Sequence, residues 1–294
     1  MKRYENFVLE AEKGITFEDS KGTSGELITR DPTANVYSKN YANPPIPEGY
    51  KHICGQWNNG FVIERCSDRS QLVWIPVGSL DSNGTLDGEH FSEKLGRRYM
   101  KYELPNNTFR EALNDELLKQ LESVKKYGGF YISRYYIFKS SEGKPQSIKG
   151  VMPWVNINFN YAKKVASTFE DNEVVKSHLI YGAEYDSVWE WLIKTGVRNR
   201  VEESDEWMNN WDTKNSPLKV VKTGSKKEWY ANNIYSFAFS LNEWTQEWYF
   251  NWGRVVRSGI RFTWGNLFRF AERDYHDPLY WSEFTGFRVA LYIK

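Results

Sequence analysis

Asn242-Glu243-Trp244-Thr245-Gln246-Glu247-Trp248 opens the stretch that decides the fold, and Gly286-Phe287-Arg288-Val289-Ala290-Leu291-Tyr292-Ile293 closes it. Both ends are apolar and strand-like. Between them, Ser258 to Thr285 follows neither a helical nor an alternating period. That middle mixes rings with polar and charged groups: Arg261, Phe262, Trp264, Asn266, Phe268, Arg269, Phe270, Tyr275, His276, Tyr280, Trp281, Glu283 and Phe284. It is too rich in rings for a disordered tail. It is also too broken, by Gly259, Gly265 and Pro278, for simple core strands. What remains is an ordered loop surface pinned at both ends, where binding chemistry usually sits. Tyr and Trp suit protein recognition because they supply contact area at low entropic cost.

Three ordered motifs carry a resemblance: Asn242-Glu243-Trp244-Thr245, Arg254-Val255-Val256-Arg257-Ser258-Gly259 and Gly286-Phe287-Arg288-Val289-Ala290-Leu291. Together they resemble the C-terminal signature of the formylglycine-generating-enzyme (sulfatase-modifying factor) family. That family reads roughly G-N-V-x-E-W-T, R-V-x-R-G-G and G-F-R-x-A/V, on a variant of the C-type lectin fold. The ending is most similar to the variable proteins of diversity-generating retroelements, common in phages and bacteria. In those, a window between the second and third motifs is rewritten to change ligand specificity.

The resemblance covers about residues 46–294. It implies an α+β, C-type-lectin-like domain with short strands, two or three helices and much irregular structure. Residues 1–45 form an N-terminal arm or extension ending in Asn43-Pro44-Pro45-Ile46-Pro47, a spacer-like run. The implied window spans about 239–285. Its binding face is assigned to Phe239, Ser240, Asn242, Phe250, Trp252, Arg261, Phe262, Trp264, Asn266, Phe268, Arg269, Tyr275, His276, Tyr280, Trp281 and Glu283. Phe270, Phe287 and Trp244 are assigned to the core. Arg254, Arg257, Arg273 and Arg288 match the signature and are expected to be scaffold residues paired to carboxylates and carbonyls, with Glu243 one candidate partner. Phe239-Ser240-Leu241 departs from the family's G-N-V. The departure extends the expected face to Phe239, Ser240 and Asn242, and it leaves open whether a structural calcium sits at this element.

The 294 residues give room for a sizeable core. Lys and Arg number 39 against 38 Asp and Glu, so no long-range field points to nucleic acid or an anionic membrane. Met1-Lys2-Arg3-Tyr4-Glu5-Asn6 lacks a signal-peptide apolar region, and no run approaches the roughly 20 apolar residues of a membrane helix. The expected location is the cytosol as synthesised, or a virion if the chain is phage-encoded. Cys54 and Cys66 lack metal-like spacing; two reduced thiols, or a pair clipping a hairpin, are the readings.

Along the chain, Gly60–Glu64 and Gln71–Val77 read as a hairpin, Glu116–Lys126 as an amphipathic helix stopped by Gly128-Gly129, and Gly129–Tyr135 as a strand. Pro153–Phe159 alternates like a strand leading into a helix at Tyr161–Glu170, and Tyr181–Leu192 reads as a further helix whose acids are surface or core-orienting. Asp81–Gly88 resembles a calcium loop only superficially, lacking the later acids of an EF-hand. Residues 197–228 form a polar insertion.

The family's best-known enzyme oxidises a substrate cysteine with a C-terminal cysteine pair, and this chain has no cysteine after Cys66. Another branch holds iron through three histidines including H-x-x-x-H-x-E. Here His52, His90, His178 and His276 are widely separated. No G-x-S-x-G, Gly-rich phosphate loop or H-E-x-x-H occurs. The expectation is therefore a non-catalytic protein without a cofactor, recognising a protein or cell-surface ligand. The alternatives are a metal-dependent oxidoreductase of the same superfamily with a rearranged site, and an assembly in which the aromatics form an oligomer interface.

Overall fold

The structure is a computed structural model and describes residues 15–17, 43–77, 109–110, 114–194, 220–226, 230–237, 241–250, 252–257 and 273–294. In chain order the first strands are β1 (Ile15–Phe17), β2 (Pro45–Pro47), β3 (Tyr50–Cys54), β4 (Val62–Arg65), β5 (Gln71–Pro76) and β6 (Phe109–Arg110). Helix α1 (Asp115–Tyr127) leads into β7 (Gly129–Ser133), β8 (Phe138–Lys139) and β9 (Pro145–Gln146). Next come α2 (Phe159–Ser167), β10 (Val175–Leu179) and α3 (Gly182–Lys194). The C-terminal part supplies β11 (Tyr230–Ala231), β12 (Ile234–Tyr235), β13 (Asn242–Tyr249), β14 (Gly253–Arg257), β15 (Arg273–His276), β16 (Thr285–Phe287) and β17 (Val289–Ile293). The class is α+β.

Local chemistry sets the helix ends. The Asn114 side chain accepts the Leu117 N–H at the start of α1, and Gly128, at φ 80°, donates its N–H to the Val124 carbonyl at the end. Leu117, Leu121 and Val124 form the buried stripe of α1, whereas Leu118, grouped with them by the apolar pattern, is exposed. Helix α2 begins earlier than expected because Asn158 accepts the Tyr161 N–H as its cap, and it ends at Ser167 rather than Glu170.

The larger sheet has six antiparallel strands in the order β10-β17-β7-β5-β4-β3. Strands β7 and β17 are buried at every residue, as expected of strands covered on both faces. The second sheet runs β15-β14-β13-β16, with β6 pairing the far end of β13. β13 and β16 are parallel, and the other pairs are antiparallel. The chain passes from β16 of the second sheet to β17 of the first with Arg288 as the single intervening residue.

The expected strand at 153–159 is absent. Trp154 N–H goes to the Ile137 carbonyl, Asn156 N–H to Ser282 and Phe159 N–H to Pro278, so no single partner strand forms a ladder. Asn156 also sits at φ 55°, which breaks any extended run. Cys54 and Cys66 are free thiols, not a clip across the hairpin. Residues 15–17 of the expected arm pair with β2. Most of the 197–228 insertion and all of 81–108 lie outside the described residues. No helix among the described residues is long and apolar enough to cross a membrane.

Candidate functional site

The second sheet rests on buried charge. Arg257 ends β14 and Arg273 begins β15, and their Cα positions are paired across the ladder. Arg257 and Arg273, which flank 258–272 in sequence, therefore sit side by side. Arg257 lies 2.6 Å from Asp186 of α3 and 3.6 Å from Glu247 of β13. Arg273 lies 2.7 Å from Asp186 and 2.5 Å from Glu247. Two cations and two anions thus close a square, each side chain at most 2% exposed. Such a cluster tolerates the interior only because every charge is matched and hydrogen-bonded. Burial opposes the Arg273 charge, but Asp186 and Glu247 hold its pKa above the ordinary value. Burial pushes the Glu247 carboxyl up while Arg273 and Arg257 pull against it.

A second tie lies at the crossing between sheets. The Arg288 guanidinium is 3.1 Å from Glu243 and donates to the carbonyls of Ser133, at 3.0 Å, and Tyr235, at 2.5 Å. It also lies over the Tyr136 ring. Arg254 meets its expected pairing through a carbonyl and two rings, with no carboxylate partner among the described residues. Its guanidinium lies 3.1 Å from the Trp248 ring centroid and 4.3 Å from that of Phe159, and it donates to the Gln246 carbonyl.

The expected binding residues fall into two sets. Arg254 pairs with His276 at one end of the β14–β15 ladder, Arg257 with Arg273 at the other. Three residues of strand separate these ends by about 10 Å. Phe239, Ser240, Arg261, Phe262, Trp264, Asn266, Phe268 and Arg269 lie outside the described residues, as does Phe270. Phe250, Trp252, Tyr275, His276, Tyr280, Trp281 and Glu283 are described, and the structure groups most of them at the Arg254–His276 end. Asn242 differs from expectation. It is 4% exposed, because it starts β13 inside the sheet, where its N–H bonds the Phe284 carbonyl.

Tyr249 and Tyr275 stack with centroids 3.5 Å apart, and Trp252 meets both edge-on at 5.7 and 5.4 Å. Phe250 packs edge-to-face on Tyr249 from a left-handed backbone, φ 47°, rare for so bulky a residue. On the other face of β15, His276 stacks on Tyr280 at 4.2 Å, and burial holds its imidazole below the ordinary pKa. Trp252, Trp281 and Leu279 are 55%, 64% and 66% exposed, whereas Trp244 and Phe287 are fully buried. Tyr249 and Leu279 were not among the sequence-derived site residues. Tyr249 was legible only as the aromatic end of the Trp244–Trp248 strand, and Leu279 carried no signal.

Elsewhere, the buried His178 imidazole contacts both Glu184 oxygens, at 2.9 and 3.1 Å. Glu184 also accepts from Gln120 and from the Tyr181 N–H. Its role is core-orienting, not surface. Among the described residues no group of three His, Cys, Asp or Glu side chains converges as a metal-holding set. His90 lies outside them.

No protein-family model matches the chain, and no curated protein matches it.

Proposed function

We propose that this chain is a non-catalytic ligand-binding protein of the retroelement-diversified variable-protein kind, on a C-type-lectin-like scaffold like that of formylglycine-generating enzymes. One observation carries the reading: both stems of residues 258–272, Arg257 and Arg273, enter the same buried four-charge cluster. A frame fixed from beneath in this way lets side chains beyond the stems change while the interior stays the same. The exposed rings along the same sheet supply the support for recognition, since Trp and Tyr dominate binding hot spots. The ligand class is a protein or a cell surface, with host attachment the use if the chain belongs to a phage.

Diversification is tested in DNA. The reading expects a near-copy of the window's coding sequence beside a reverse transcriptase gene, differing mainly at template adenines; a locus without one removes that part of the proposal. Binding is tested with purified chain on a panel of bacterial cell surfaces, against a Trp252→Ala/Trp281→Ala variant. Retention by the parent alone supports the reading, and equal retention of both contradicts it. Elemental analysis separates the oxidoreductase alternative. Stoichiometric iron or copper together with histidine-dependent turnover would overturn the binding reading.

A further inference from the structure

Arginines drawn into this fold have their charge answered. Arg65, Arg257, Arg273 and Arg288 each lie within 3.1 Å of a carboxylate. Arg134 has none, but its Nε, Nη1 and Nη2 donate to Asn233 and Gln71. Arg254 is different. Its Nη1 donates to the Gln246 carbonyl at 3.3 Å, its Nε donates to nothing, and no hydrogen bond among the described residues uses its Nη2. Nε and Nη2 form one edge of the planar fork, so two parallel N–H groups stand unanswered. Burial pulls the Arg254 pKa down to about 10, and no neighbouring carboxylate opposes the pull.

Strand register places this edge within a row. Arg110 of β6 pairs with Trp248 of β13, Trp248 with Arg254 of β14, and Arg254 with His276 of β15. Paired positions share a face and sit about 5 Å apart. The four positions therefore cross the sheet together, on the face opposite Tyr249 and Tyr275. The rings of Trp248 and Phe159 lie against the Arg254 guanidinium, and Tyr280 stacks on His276. Trp248, Arg254 and His276 are half-buried and Tyr280 is exposed, so the row is partly open to solvent. The His276 Nε2 has no hydrogen-bond partner either. Asp274 stands on the same face, two residues before His276, and lies 3.7 Å from that nitrogen. It makes no ion pair with Arg254.

We infer that the partner is an acidic protein segment that seats a carboxylate on the Nε–Nη2 edge of Arg254; the inference rests on the proposed binding reading and names the group its ligand carries. A half-buried cation has given up hydration that an incoming carboxylate replaces. The two carboxylate oxygens match the two parallel N–H groups, at about 2.7–2.9 Å each. Trp248 and Phe159 already hold the guanidinium in place, so little side-chain freedom is lost when the anion arrives. Among protein groups, Asp, Glu and the chain end present such an anion.

The full chain is immobilised and a displayed library of random short peptides is selected on it. The expected result is enrichment of Asp and Glu over the starting library. A selected peptide, made synthetically, should lose about ten- to a hundredfold in affinity when its key acid is replaced by the amide. Arg254→Gln should lose about as much, and the two changes together no more than either alone. Arg254→Lys keeps the charge without the fork and should restore little of the affinity. Should both variants melt early, the Arg254 Nε–H resonance of the parent chain takes their place and should move when the peptide is added. Peptides without acidic bias, undiminished binding by the amide peptide or by Arg254→Gln, additive losses, or an unmoved resonance each overturn this inference and leave the binding reading standing. Displacement of the peptide by inorganic phosphate, at concentrations where acetate has no effect, also overturns it and assigns the edge to phosphate. If no peptide is retained, this inference fails, while the binding reading still stands or falls on the cell-surface test with Trp252 and Trp281.

Discussion

Arg288 and Glu243 face each other at 3.1 Å where the chain passes from the second sheet into the first. Glu243 belongs to β13, and the same guanidinium reaches the Ser133 carbonyl at the end of β7. The pair therefore ties the second sheet to the larger one through two fully buried charges. Glu243→Gln or Arg288→Met leaves one of them without its counter-charge. Each single substitution is expected to cost about 3–5 kcal/mol. Urea unfolding of both singles and the double should reveal a coupling of about 1–3 kcal/mol; additive losses would show that the two side chains act separately.

The four-charge cluster predicts a similar sensitivity further out. Asp186→Asn removes one anion shared by Arg257 and Arg273. The expected loss is about 3–5 kcal/mol, measured by chemical denaturation. A change within about 0.5 kcal/mol would mean that the cluster does not secure the stems.

The His178–Glu184 contact makes stability depend on pH. Burial lowers the His178 pKa, but Glu184 and Glu116 raise it more, against a smaller opposing effect of Lys163, leaving it above the usual value of about 6.5. The folded pKa lies above the unfolded one, so the stabilisation is complete below pH of about 6.5 and is lost as pH rises through the folded value. Unfolding free energy followed from acid to alkaline pH should fall over that interval, and His178→Gln should flatten the fall. An unchanged slope in the variant would place the dependence on other groups.

Trp281, between β15 and β16, and Trp244, in β13, should respond very differently to truncation. Trp281→Ala removes a largely exposed ring and should change stability by less than about 1 kcal/mol. Trp244→Ala empties a fully buried site, where the indole N–H donates to the Ile157 carbonyl at 2.9 Å and the ring meets Phe159. It should cost about 3–5 kcal/mol. Thermal melts of the two variants check the contrast.

Elements whose signals are local were legible in the sequence. Gly128 ends α1 as expected, and the runs Gly60–Glu64 and Gln71–Val77 marked the hairpin of β4 and β5. Segments whose backbone partners lie far away were not. Pro153–Phe159 alternates because it is threaded between Ile137 and residues 278–282, not because it joins a ladder. Glu243 was legible as a partner for a scaffold arginine, whereas Asp186 and Glu247 became partners of Arg257 and Arg273 only when the fold brought α3 beneath the second sheet. The burial of Asn242 was hidden for the same reason. A position beside an irregular aromatic stretch reads as surface until a parallel strand is seen to cover it.

The central claim is a frame that stays folded while its exposed face changes. A combinatorial library with all residue types at Phe250, Trp252, Tyr280 and Trp281 tests it without a known ligand, read as the fraction of clones that resist protease. The account predicts resistance close to that of the parent across most of the library. Loss of resistance in most clones would show that these rings hold the fold together, and would contradict a replaceable binding surface.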